Sequence, residues 1–174
     1  MKPTTSILIS LLLSILISFS SSAQKKQSLV AGAGFPELFH LGARYQIKQS
    51  QVGISLGLAS HSATTFTADY FYHYSKESSL SSRKVWYMRW NYTLLKEKDE
   101  YEIIKTSTLG MRIGREFNIT KSFGIGLDAG LVFRLYEDTT LIKPKPSSGW
   151  NFDFELGIFE IVLPAIGIHS FFKF

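Results

Sequence analysis

Residues 122–136 alternate apolar side chains with polar or very small ones at every second position. The apolar set includes Leu127 and Leu131, and the other set includes Asp128 and Arg134. A period of two predicts a β-strand with one apolar and one polar face. Strands of soluble proteins average about 5–6 residues, whereas a tilted strand that crosses a membrane needs ~9–11. The length of this run therefore favours a membrane-crossing sheet.

The same alternation recurs along the chain from residue 28 onward, with turn-forming residues between the segments. No stretch after residue 23 shows a convincing helical period or an apolar run long enough for a membrane helix. We count nine strand-like segments, at residues 28–35, 40–48, 52–59, 66–74, 85–94, 101–117, 122–136, 150–159 and 165–174. The chain is therefore predicted to be all-β.

Two architectures can use these strands. A soluble lipocalin-like barrel or sandwich would turn the apolar faces inward, and a membrane barrel would turn them outward. Aromatic residues on the apolar faces, among them Trp86, Trp90 and Trp150, suit the girdles of a membrane barrel, and the mixture of glycine and charge on the polar faces suits its crowded interior. We predict an antiparallel up-and-down transmembrane β-barrel. Such barrels have an even number of strands, so nine segments favour eight strands, with ten as the alternative.

The N-terminus reads as an export signal. Lys2 is followed by an apolar run from Ile7 to Ile17 and by the small residues Ser21 and Ala23, the order of a cleavable secretory signal. We therefore expect residues 1–23 to be a signal peptide and residues 24–174 to be one barrel domain in the outer membrane of a Gram-negative bacterium. The chain has no cysteine, so neither a disulfide nor a lipid anchor on cysteine is expected.

The last segment, "IGIHSFFKF", alternates and ends on Phe172 and Phe174. This ending resembles the Phe-terminated last strand of outer-membrane barrels, which the barrel-assembly machinery reads as an insertion signal. The stretches "GAGFPELFHLGARYQI", "QVGISLG", "RIGREFNITKSFGIGLDAG" and "PSSGWNFDF" resemble the small outer-membrane β-barrel proteins of Bacteroidetes-type bacteria, whose barrels are like those of OmpX and OmpA. The resemblance covers the mature chain and implies architecture and location, but it implies no activity.

Charged residues recur on the faces that would line the barrel, five basic and four acidic. The near balance predicts a network of salt bridges that fills a narrow interior, since a buried charge is costly unless it is paired. A selectivity ring of a pore is the alternative. The residues assigned to this network are Arg44, Asp69, Arg89, Arg112, Asp128, Arg134, Asp153, Glu155 and Lys173.

Signals for catalysis are weak. His73 and Ser75 share a predicted inward face with Asp69, and a serine nucleophile needs a histidine base and an orienting acid; some outer-membrane hydrolases that act on lipid A use such a set. The flanking motif of those enzymes is missing, so no catalytic residue is assigned. The histidines lack the spacing of metal ligands. "GAGF" is followed by no helix, which argues against a dinucleotide cofactor.

We expect a structural anchor or a surface-interaction protein, with residues 137–149 as the loop best placed for contact with an unknown ligand. The expected partners are outer-membrane lipids, lipopolysaccharide and the assembly machinery. Nucleic acid is not expected, because the basic residues are scattered. The alternatives are a hydrolase that modifies lipid A or phospholipid, and a narrow channel for a small solute.

Overall fold

A computed structural model describes residues 26–58, 62–144 and 161–174 of the chain. These residues form eight β-strands in chain order. The strands are β1 (Gln27–Gly34), β2 (Leu38–Ile47), β3 (Ser50–Leu58), β4 (Ala63–Ser78), β5 (Ser81–Lys98), β6 (Glu102–Asn118), β7 (Phe123–Leu141) and β8 (Val162–Lys173).

The eight strands form one closed barrel in which each strand pairs with its neighbours along the chain. Every pair is antiparallel, including the pair that closes the ring between β1 and β8, where Leu29 lies opposite Phe172. Closure gives each of the eight strands a partner on both sides. The predicted all-β, eight-stranded up-and-down barrel is confirmed as an architecture.

Several strands are longer than the alternation predicted. The apolar pattern indicated strands at residues 66–74 and 85–94, but β4 and β5 continue to a tight hairpin at residues 79–80. Likewise β7 continues to Leu141 beyond the predicted end at residue 136. In these extensions polar residues occupy both faces, so the backbone ladder continues without an apolar signal. The predicted segment at residues 150–159 lies outside the described residues.

Most of the charged side chains of the barrel wall point inside, and most of its large apolar side chains point outside. Leu41 and Ile166 are 69% and 70% exposed, whereas Arg89 and Arg112 are each 2% exposed. Leu127 and Leu131 face outward and Asp128 faces inward, as the alternation predicts. No helix among the described residues is long and apolar enough to span a membrane.

The two ends of the barrel differ. We call the end where β1 begins and β8 ends the terminal end; it also carries the short turns at residues 48–49, 79–80 and 119–122. At the opposite end lie the connections at residues 35–37 and 99–101, the end of β3 at Leu58 and the end of β7 at Leu141.

Candidate functional site

Two arginines and three carboxylates fill the middle of the barrel. Arg89 Nη2 lies 2.6 Å from Asp69 Oδ1 and 2.9 Å from Glu37 Oε1. Arg112 Nη2 lies 2.7 Å from Glu37 Oε2, and Arg112 Nη1 lies 3.0 Å from Asp128 Oδ1. All five side chains are at most 3% exposed. Each charge in this central network has a partner of opposite sign, as a buried charge requires, and two guanidinium groups against three carboxylates leave it a formal charge of −1.

Glycine on the facing strand makes room for the large side chains of the interior. Gly167 is the cross-strand partner of Asp128, and a Cβ there would lie 2.7 Å from Asp128 Oδ1 and 3.0 Å from Arg112 Nη1. Gly130 is the partner of Arg112, and a Cβ there would meet the backbone of the arginine strand. Gly167 therefore leaves room for the charged side chains of Asp128 and Arg112, whereas Gly130 allows a close approach of the β6 backbone.

An aromatic layer lies on the terminal side of the central network. The Tyr87 hydroxyl donates to Asp128 Oδ2 at 3.1 Å, and the Tyr87 ring lies edge-on to Phe71 with centroids 5.4 Å apart. The Arg44 guanidinium lies 4.2 Å from the centre of the Phe71 ring and within 3.1 Å of His169 Nε2. Because arginine has no acceptor, His169 Nε2 accepts this bond. This layer places aromatic rings against the charged side chains of the interior, and the rings exclude water from them.

A second ion pair lies closer to the terminal end. Arg83 Nε and Nη2 donate to the two oxygens of Glu116 at 3.0 and 2.6 Å, a bidentate pair. Arg83 Nη1 also donates to Gln46 Oε1 at 2.8 Å. Beside this pair, Lys173 Nζ donates to Asn118 Oδ1 at 2.8 Å. The interior is therefore occupied by side chains in successive layers, as expected for eight strands.

The structure brings together most, but not all, of the residues that the sequence assigned to the interior network. Inside the barrel it buries Arg44, Asp69, Arg89, Arg112, Asp128 and Lys173. The assignment of Arg134 differs: its side chain is 37% exposed and pairs with Glu137 at 2.9 Å. A register shift next to Thr108, the partner of Arg134, and the end of the β7–β8 pairing at Phe133 leave it at the rim. Asp153 and Glu155 lie outside the described residues.

Three charged residues of the interior escaped the sequence interpretation. Glu37 lies in the turn between β1 and β2, where no alternation can indicate its facing. Arg83 lies in "SKESSLSSRK", which reads as a solvated connection but belongs partly to β5. Glu116 follows Arg112 and Gly114 at even spacing, so the alternation of β6 did carry the signal for it.

The residues considered for hydrolysis are not assembled. Ser75 is exposed, has a positive φ of 74° and lies within the register shift between Tyr74 and Glu77 of the β4–β5 hairpin. His73 is buried and its Nδ1 lies 3.0 Å from the backbone oxygen of Lys84, while Asp69 is bound by Arg89. The bulge thus removes Ser75 from the inward face on which simple alternation put it.

The C-terminal aromatics lie where the barrel closes. Phe172 is 50% exposed on the outer face, and the backbone N–H of Phe174 donates to the Gln27 carbonyl at 3.0 Å.

Within the described residues no group of three or more His, Cys, Asp or Glu side chains could hold a metal ion. Comparison of the chain with protein-family models, curated proteins and solved structures found no match.

Proposed function

We propose that this chain is an integral outer-membrane β-barrel protein that serves as a closed structural anchor and presents an extended hairpin for surface interaction. The observation that carries the proposal is the inversion of the barrel, with charge inside and leucine, isoleucine and aromatic residues outside. A protein with such an outer surface would aggregate in water, whereas the hydrocarbon core of a bilayer solvates this surface.

The filled interior supports an anchor in preference to a channel. Arg89 and Arg112 bind three carboxylates across the lumen, and the aromatic layer with the Arg83–Glu116 pair lies beneath them. A permeant ion would have to break several buried ion pairs, each of which is costly to leave with one partner. Steady conduction is therefore not expected.

The shape of the two ends supports the orientation and the surface role. Outer-membrane barrels have short periplasmic turns and longer extracellular loops, so the terminal end would face the periplasm. At the opposite end, β8 last pairs with β7 at Phe133, while β6 and β7 continue together to Glu102 and Leu141. This extended hairpin of β6 and β7 is the surface best placed to meet an external partner.

Expression with the export signal in a Gram-negative host tests the proposal. The protein should fractionate with the outer membrane, need detergent for solubility and migrate faster on a gel when unheated than when boiled. Planar bilayers that contain it should show no steady ion current. Free solubility of the mature chain as a monomer in buffer would contradict the membrane assignment, and a stable current would favour the channel alternative.

A further inference from the structure

A cavity of about 700 Å³ opens at the terminal end of the barrel. We call it the vestibule. Its size falls in the range of about 300–1,000 Å³ that is usual for small-molecule sites. The side chains used below are those of Lys26, Lys48, Ser81, Arg83, Lys121 and Lys173, all of which line it.

The vestibule carries an excess of positive charge. Lys26 precedes β1, Lys48 lies in the β2–β3 turn and Lys121 lies in the β6–β7 turn, so the three ammonium groups reach it from three parts of the chain. In the part of the chain that the structure describes, none of these three lysines takes part in a salt bridge. Glu77 is the one acidic residue among the lining residues. The basic residues of the lining therefore outnumber its single carboxylate, and the vestibule carries a net positive charge.

The floor of the vestibule is closed. Arg83 is 8% exposed and is fixed by Glu116 and Gln46. Its guanidinium lies 5.4 Å from the centre of the Phe171 ring, and Lys173 Nζ lies 4.9 Å from the same centre. The vestibule is therefore a pocket that ends on the Arg83–Glu116 pair and an aromatic ring, with no through-passage indicated.

A buried donor lies next to this floor. Asn118 Oδ1 accepts a hydrogen bond from Lys173 Nζ, whereas Asn118 Nδ2 is inaccessible and has no hydrogen-bond partner. A buried donor without an acceptor costs free energy. An oxygen-rich anion in the vestibule would supply acceptors for the lysines and for the Ser81 hydroxyl that line it, whereas the inaccessible Asn118 Nδ2 lies outside this lining.

We propose that the vestibule binds a phosphate group, carried either by a small solute or by a lipid headgroup. Lysine is a usual phosphate ligand because its compact charge and its three N–H donors can bind phosphate oxygens in many relative orientations. The tetrahedral oxygens of phosphate point in several directions, which suits donors that arrive from three turns. The proposal goes beyond the anchoring function, and it holds or fails independently of the membrane assignment.

Titration calorimetry of the folded protein in a non-ionic detergent, at low salt and with inorganic pyrophosphate as the probe, tests the proposal. The variant Lys26→Gln/Lys48→Gln/Lys121→Gln should weaken binding at least about tenfold, a loss of about 1.4 kcal/mol. The matched control Lys96→Gln/Lys98→Gln/Lys105→Gln removes the same charge from exposed lysines near the opposite end, and it should bind as the wild type does. All three proteins should show the same shift between unheated and boiled samples.

Addition of phosphatidylglycerol to the detergent distinguishes the two sources of phosphate. Loss of pyrophosphate binding in the presence of this lipid, but not of an uncharged lipid, assigns the vestibule to a headgroup. Undiminished binding assigns it to a soluble phosphate. The proposal is overturned if the wild type does not bind pyrophosphate in detergent without added lipid. It is also overturned if the vestibule and control variants lose affinity equally, since that would indicate diffuse attraction by net charge.

Discussion

Arg112 on β6 and Glu37 in the β1–β2 turn are 75 positions apart in the chain, yet Arg112 Nη2 donates to both oxygens of Glu37, at 2.8 and 2.7 Å. Glu37 is 0% exposed and also lies 2.9 Å from Arg89 Nη2. One carboxylate from a turn thus bridges two arginines from the barrel wall. These contacts hold the β1–β2 turn inside the lumen. The carboxylate of Glu37, which lies outside the strands, thereby compensates part of the positive charge of the two arginines.

Removal of this carboxylate should destabilise the barrel. Glu37→Gln leaves Arg89 and Arg112 with less compensation in a site that water does not reach, and loss of one partner from a buried ion pair typically costs about 3–5 kcal/mol. We expect a loss of this order in urea unfolding from detergent micelles, followed by the fraction that migrates as folded without heating.

The exposed pair between Lys143 and Glu100, at 3.2 Å, provides the control. Both side chains are more than half exposed, and surface pairs contribute about 0–1 kcal/mol. Glu100→Gln should therefore leave the unfolding midpoint nearly unchanged. If the two variants unfold alike, Glu37 does not hold the network together.

The outward face of β7 gives a second prediction. Leu127 is 46% exposed and lies on the apolar outer surface, opposite Ile168 of β8. In a bilayer, arginine on the lipid face near the midplane of a barrel costs about 2–4 kcal/mol, falling to about 0–1 kcal/mol near the interface. Leu127→Arg should therefore lower the folded yield in lipid vesicles strongly. Ile119→Arg makes the same chemical change in the β6–β7 turn and should be mild; equal yields would contradict the proposed position in the membrane.

Alternation predicted the facing of the wall residues well, and it failed where the backbone departs from regular pairing. Asp69, Arg89, Arg112 and Asp128 share inward positions because successive side chains of a strand point to opposite faces. Which arginine meets which acid depends on the register between strands, and a period of two carries no information about register.

The misplaced or missed residues have local causes. Glu37 lies in a turn, where no period exists to indicate its facing. Ser75 lies within a register shift, and Arg134 pairs next to another. A bulge changes the facing of the residues around it. Arg83 lies in a hairpin extension whose two faces are both polar, so the extended strand looks like a solvated connection in the sequence.

Packing between glycine and arginine gives a third prediction. A Cβ on Gly130 would lie 2.7 Å from the Arg112 Cα and 2.9 Å from the Met111 carbonyl carbon, and backbone atoms cannot move aside as the end of a side chain can. Overpacking of a filled interior costs about 1–3 kcal/mol, so Gly130→Ala should lower the urea midpoint measurably. The neighbouring change Ala129→Val adds more volume but points outward, and its midpoint should stay near that of the wild type. A larger loss for Ala129→Val would mean that the facing of β7 is reversed.

The pair between Arg83 and Glu116 gives the last prediction. The bidentate geometry, with both side chains at most 8% exposed, implies strong coupling in a double-mutant cycle. Arg83→Ala and Glu116→Ala should each be destabilising because each leaves a buried charge alone. The double variant should lose less free energy of unfolding than the sum of the two single losses, with a coupling free energy of about 0.5–3 kcal/mol from urea unfolding.

A second cycle combines Arg83→Ala with Glu37→Gln, which lies in the separate central network. The two losses of unfolding free energy should be additive to within about 0.5 kcal/mol. Strong coupling in that second cycle would show that the two ion clusters act as one unit, and no coupling in the first would show that Arg83 and Glu116 do not depend on each other.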